Sequence, residues 1–160
     1  MQYFDQNKIN LINSESAKNT TKFSISISGS DRTLKLENEC DPIDYSNVKA
    51  DGHIVSPIFH EISDDVFKNI KDDSNFLFVD PQGFLRQKDS ENNIVLKKTE
   101  LDLTNVNAIK INPEEGKNIV DGTHDEMMLA LQKKGIEYVL LTDKVNVSLL
   151  VKNRIYSLKL

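Results

Sequence analysis

Residues 52–79, GHIVSPIFHEISDDVFKNIKDDSNFLFV, read as a strand, a helix and a second strand. His53 to Phe59 is a mostly apolar run suited to a strand buried on both faces. Ser63-Asp64-Asp65 then supplies an N-cap and early carboxylates for a short helix, with Val66, Phe67 and Ile70 on one side. Asn75 to Val79 is again short and apolar, and the polar turn Asp80-Pro81-Gln82-Gly83 ends it. Two strands joined through a helix pair in parallel, so this stretch predicts a layered α/β sheet.

Working outward, the alternation continues toward the C-terminus. Gln87 to Asn93 reads as a polar loop and Ile94 to Leu96 as a short strand. Val106 to Ile111 is another apolar run, stopped by Asn112-Pro113, where Pro113 suits the first position of a helix because that position needs no N–H donor. Thr123 with Glu126 forms a capping box ahead of Met127, Met128 and Leu131, and Gly135 stops that helix. Ile136 to Leu141 reads as a strand, and Val147 to Val151 with Ile155 to Leu160 as a closing hairpin. On the N-terminal side, Phe23, Ile25 and Ile27 alternate with serines, and after Gly29-Ser30-Asp31 the alternation resumes at Leu34 and Leu36. That pattern predicts a β-hairpin whose apolar face must cover something, since a two-stranded ribbon is marginal alone. The expected organisation is a loosely ordered lead-in over residues 1–20, the hairpin over 21–45, and a layered α/β unit over 46–160.

Composition excludes several classes. Of 160 residues, 38% are hydrophobic and 28% charged, so the chain is not poor enough in apolar residues to read as disordered. No apolar run reaches the ~18 residues of a membrane span. Twenty Lys and Arg against 25 Asp and Glu leave a net charge of −5 with no basic block, which argues against a nucleic-acid partner. One cysteine and an N-terminus without the charge and apolar pattern of a signal peptide give a cytoplasmic expectation.

The residues able to carry chemistry cluster at strand ends, where open α/β sheets bind ligands. Asp80 lies at one such end with Arg86 six residues on, a pair able to hold an anionic or hydroxyl-bearing ligand, or simply a solvated turn. Lys110, Asn112 and Glu115 surround the next strand-to-helix turn, where a hydrated Mg²⁺ or a phosphate fits; locally, Asn112 also reads as a helix cap. Thr142 ends a third strand. Cys40, His60 and Asp80 follow the order of a papain-like triad, but Cys40 precedes Asp41-Pro42 after a strand, not a helix start. His53, His60 and His124 share no zinc-ligand spacing.

Taken in order, SPIFHEISDDVFKNI (56–70), FLFVDPQGFLR (76–86), AIKINPEEGKNI (108–119) and GIEYVLLTDKVNVSLLVKNRIYSL (135–158) resemble the middle of the PfkB/ribokinase-like sugar and nucleoside kinases. TTKFSISISGSDRTLKLENEC (20–40) resembles the β-stranded lid that those kinases fold over the substrate, a surface that also offers a route to homodimers. The resemblance implies a ribokinase-like α/β fold with a protruding hairpin lid, ATP and Mg²⁺ as cofactors, and a sugar or nucleoside as acceptor. It implies that Asn112 and Glu115 organise Mg²⁺ through water, that Lys110 faces phosphate, and that Asp80 and Arg86 line the substrate or phosphate crevice. Thr142 matches the Thr of a Thr-x-Gly-x-x-Gly turn beside the nucleotide, yet Lys144 and Val147 stand where its glycines belong. The Gly-x-Gly-Asp segment that supplies the family's anion hole and catalytic base does not occur in the 160 residues, so the expectation is an internal kinase piece, inactive by itself. A non-catalytic binding protein keeping the fold is the rival reading, and a cysteine peptidase a remote one.

Overall fold

The structure is a computed structural model that describes residues 20–29 and 31–160. The lead-in expected over residues 1–20 therefore lies, but for Thr20, outside the described residues. The hairpin forms as read, with β1 (Lys22–Ser28) antiparallel to β2 (Asp31–Asn38). The remaining elements are β3 (His53–Val55), α1 (Asp64–Asp73), β4 (Leu77–Val79), α2 (Gln82–Leu85), β5 (Arg86–Lys88) and β6 (Ile94–Leu96). They are followed by β7 (Ala108–Ile111), α3 (Pro113–Lys117), α4 (His124–Lys133), β8 (Tyr138–Thr142), β9 (Asn146–Val151) and β10 (Arg154–Lys159).

Six strands make the central sheet, in the order β10-β9-β8-β7-β4-β3. Strands β3, β4, β7 and β8 run parallel, while β9 and β10 add an antiparallel edge. The parallel strands follow chain order across the sheet, so right-handed crossovers put their helices on one face. That face carries the core. Leu77, Val79, Ile109, Ile111, Val139, Leu141 and Leu150 are buried there in one cluster with Phe67, Ile70, Met127, Met128 and Leu131 of the helices. The alternate residues, among them Ile54, Phe78, Leu140, Leu149, Tyr156 and Leu158, fall outside that cluster.

Three local readings change. The strand expected over His53 to Phe59 spans three residues and lies at the sheet edge, with Ile54 79% exposed, because Pro57 cannot donate to a ladder. The loop expected at Gln87 begins as β5, which pairs with β6 in a separate two-stranded sheet. Gly83 does not close a β-turn; it lies within the short helix α2, where a Cβ would sit 2.4 Å from the Pro57 carbonyl. Glycine is needed there for close backbone approach.

The hairpin rests on the body at its base only. Leu36 is buried, its N–H donates to the Asn92 carbonyl (2.9 Å), and the Phe23 ring meets Phe59 edge-on. Toward the tip the same face opens to solvent, with Ile25 53% and Ile27 75% exposed. No helix among the described residues is long and apolar enough to cross a membrane.

Lys71, almost fully buried on α1, pairs with the exposed carboxylate of Asp102 and donates to its carbonyl oxygen (3.2 Å). The Lys71 hydrogen bond, and then those from Thr104, hold the Asp102 carboxyl well below the usual carboxylate range. A depressed folded pKa stabilises above the unfolded value and is lost as the pH falls below it. Asp102→Asn should therefore cost about 1 kcal/mol at neutral pH, screening at an exposed carboxylate keeping the figure small. The gap to wild type should begin to narrow as the pH falls below ~4 and close only where the folded Asp102 carboxyl itself takes up a proton. Urea unfolding at pH 7 and pH 3 reads both, and Lys71→Met, which removes the buried ammonium itself, should cost less than Asp102→Asn.

Candidate functional site

Parallel register brings the candidate residues together. Val79 of β4 pairs with Ile109 of β7, so the next residues along, Asp80 and Lys110, are neighbours on the face away from the helices. The Lys110 Nζ lies 3.2 Å from Asp80 Oδ2. Ile111 pairs with Leu141, which sets Asn112 beside Thr142 one step further. All of these positions lie at the carboxyl ends of the parallel strands.

Asn112 caps α3, with its Oδ1 accepting the Glu115 N–H (2.8 Å) while Glu115 Oε2 accepts the Asn112 N–H (2.8 Å). This capping box turns the Glu115 carboxylate back into the strand ends, where it is completely buried. Lys110 Nζ stands 3.8 Å from Glu115 Oε2, between the two acids. The remaining oxygen, Glu115 Oε1, accepts from Gln82 Nε2 (3.1 Å), and the Gln82 N–H donates to Asp80 Oδ1 (3.3 Å). Among the described residues no buried side-chain polar atom is left without a partner.

Arg86 approaches this group from the hairpin side. Its guanidinium donates to the Ile58 carbonyl (3.0 Å) and lies 5.3 Å over the Phe23 ring. Burial pulls the Arg86 pKa down, and the negative charges of Glu115 and Asp80 oppose that shift. His60, with a positive φ of 54°, sets a ring nitrogen on the Arg86 carbonyl and 3.3 Å from Gln87 Nε2. On the other side, a cleft of about 290 Å³ is lined by Asn112, Pro113, Glu114, Thr142, Asp143 and Lys144. It lies at the lower end of the ~300–1,000 Å³ usual for small-molecule sites.

The sequence-derived residues thus fall into one region: Lys110 in direct contact with Asp80 and Glu115, Arg86 held on the Ile58 carbonyl within the field of those two acids, and Asn112 and Thr142 bordering a cleft. Gln82 was not among them. Its only signal was its place two residues after a strand-end aspartate, which turn chemistry alone explains. Cys40, His60 and Asp80 are engaged separately, with the Cys40 N–H on Thr21 Oγ1 (3.3 Å), His60 on Arg86 and Asp80 on Lys110. For a divalent ion the oxygen set fits one arrangement better than another. No group of three or more His, Cys, Asp or Glu able to hold a metal occurs among the described residues, so a protein-only cage does not fit. A hydrated Mg²⁺ reached through Asp80, which keeps about a quarter of its side-chain surface exposed, together with phosphate oxygens would fit, with the buried Glu115 acting on it from behind rather than as an open ligand.

No family model matches the sequence, and none of the curated proteins compared with it does. Solved structures do match. A sulfate complex of a pyrophosphate-dependent kinase in the ribokinase family aligns over 99% of this chain with a TM-score of 0.79 at 18% identity. A pyrophosphate-dependent kinase of that family bound to a pyrophosphate analog and myo-inositol aligns over 98% with a TM-score of 0.76 at 18% identity. A pyrophosphate-dependent myo-inositol-1 kinase converted by two substitutions into a myo-inositol-3 kinase aligns over 99% with a TM-score of 0.72 at 17% identity. The alignments take in 59%, 58% and 56% of those chains, so this chain spans under three fifths of their length. At such identities the likeness is one of architecture, and it agrees with the strand order and helix placement described above: the chain has the ribokinase-like α/β fold.

Proposed function

We propose that this chain forms the phosphoryl-donor side of a cytoplasmic ribokinase-type phosphotransferase site, with a hydroxyl of a sugar, cyclitol or nucleoside as acceptor. The contact of Lys110 with both Asp80 and Glu115 at the carboxyl ends of β4 and β7 carries the reading. A cation between two carboxylates is a charge-balanced seat that an incoming phosphate can share with Lys110 while a hydrated Mg²⁺ takes Asp80, with Glu115 behind it. Bound there, Mg²⁺ would neutralise charge on the donor phosphates. Arg86 supplies a second phosphate-facing cation, and the hairpin serves as the lid over the acceptor.

The resemblance implies ATP as donor, but a specific observation favours pyrophosphate. Lys144 and Val147 replace the glycines beside Thr142, and Lys144 lines the small cleft that a nucleotide would have to enter. A Cβ at such a turn blocks close approach of a nucleotide, whereas a lysine there adds a partner for a second phosphate. The solved neighbours being pyrophosphate-dependent supports the same choice. Calorimetric titration with Mg²⁺ plus pyrophosphate or ATP tests it, the expected result being at least ~10-fold tighter binding of pyrophosphate. Tighter binding of Mg-ATP would return the donor to ATP.

The 160 residues contain no Gly-x-Gly-Asp turn, and losing one oxyanion-type donor alone typically costs ~10²–10³ in rate. The chain by itself should therefore bind donor without measurable phosphoryl transfer to myo-inositol, ribose or adenosine. Stoichiometric phosphate or ADP release would contradict that.

The exposed tip of the hairpin, Ile25 and Ile27, is the proposed route to a homodimer. Sedimentation should show concentration-dependent dimers that Ile25→Lys abolishes. A wild-type monomer at every concentration would remove the pairing.

A further inference from the structure

We propose that Gln82 is a positioning residue of this site, setting the Glu115 and Asp80 carboxylates for a hydrated divalent cation; the inference rests on the phosphotransferase reading above. Gln82 spans the gap between two strand ends. Its backbone N–H holds Asp80 Oδ1 at 3.3 Å after β4, and its side-chain amide holds Glu115 Oε1 at 3.1 Å beyond β7. Glu115 has no exposed surface, and its other oxygen already serves the Asn112 N–H and Lys110. Gln82 is thus the donor that keeps Oε1 from being a buried acceptor without a partner. Because Glu115 is fixed from three directions, its carboxylate has one orientation relative to Asp80 and Lys110. Gly83 next door lets α2 lie against Pro57 closely enough for the amide to reach. Removing partners that orient a metal-organising carboxylate typically costs 10–100-fold in metal affinity.

The test is calorimetric titration of the 160-residue chain with Mg²⁺ and inorganic pyrophosphate, in four forms: wild type, Gln82→Leu, Glu115→Gln and the double variant. Thermal unfolding of each form without ligand accompanies it. Gln82→Leu is expected to weaken Mg²⁺–pyrophosphate binding by about 10-fold or more. In the Glu115→Gln background the same change should alter affinity less than about twofold, since residues acting through one contact are not additive. Gln82→Met, which keeps the length of the side chain but not its N–H, should repeat the Leu result if Gln82→Leu does not fold. An equal loss in both backgrounds, or a lowered unfolding temperature with unchanged affinity, would overturn the positioning role and leave the donor site standing. A wild-type chain that binds no Mg²⁺–pyrophosphate, while a Mg-ATP titration also gives no heat, would overturn both.

Discussion

Lys110→Met is expected to destabilise the chain by about 3 kcal/mol and to remove donor binding together. Lys110 stands within ion-pair distance of two acids, one of them fully buried. Taking away one member of a buried ion pair leaves an uncompensated charge, which typically costs 3–5 kcal/mol. Asp80 and Lys110 each keep roughly a quarter of their side-chain surface exposed, which places the expectation at the lower end of that range. Chemical denaturation measures the first effect and calorimetry with Mg²⁺–pyrophosphate the second. The pair Lys110→Met/Asp80→Asn separates them: with one acid neutralised, part of the stability should return while donor binding stays lost. If the single variant keeps wild-type stability, the three groups do not form the coupled cluster described.

Gly83→Ala is the other substitution with a large expected cost. The new Cβ would lie 2.4 Å from the carbonyl carbon and oxygen of Pro57 and 2.7 Å from its Cβ, and two of these three atoms are backbone that cannot swing away. Overpacking typically costs 1–3 kcal/mol, and here relief requires α2 to move off the segment 57–60, where the His60 N–H also donates to the Gly83 carbonyl (3.2 Å). A shift of α2 carries Gln82 with it, so weaker Mg²⁺–pyrophosphate binding should accompany the loss. Thermal unfolding of Gly83→Ala and Gly83→Val would measure the first effect, with valine the worse. Unchanged stability in both would show that the segments are not in contact.

Much of this architecture was legible in the sequence because it rests on local chemistry. The run Val106–Ile111 ends at Asn112-Pro113, which does not continue a strand, and Asn112-Pro113-Glu114-Glu115 states its helix start outright. The misread portions depend on tertiary position. An apolar run does not say whether its strand is central or at an edge, so the exposure of Ile54 in β3 could not be read. Nor does a polar run reveal a partner, and β5 exists only because Ile94 to Leu96 comes back to pair with it. At the site, Asp80, Asn112 and Glu115 could be named from their places at strand ends. The Phe23 ring under Arg86 could not, since it comes from the hairpin, 63 residues earlier in the chain. Gln82 was hidden for a related reason: its partner Glu115 is 33 residues away, and only the parallel register of β4 and β7 brings the two together.

The most direct measurement of the central claim is paramagnetic mapping with Mn²⁺, a divalent ion with the same preference for oxygen ligands, added with pyrophosphate to the ¹⁵N-labelled chain. The account predicts that substoichiometric Mn²⁺ first broadens the amides of residues 80, 82, 83, 110–112 and 114–116, at the carboxyl ends of β4 and β7. Asp51, Asp72 and Asp73 line a separate cleft before β3 and β4, at the opposite edge of the sheet. Broadening that begins at those three, or that spreads evenly over exposed carboxylates, would contradict the account.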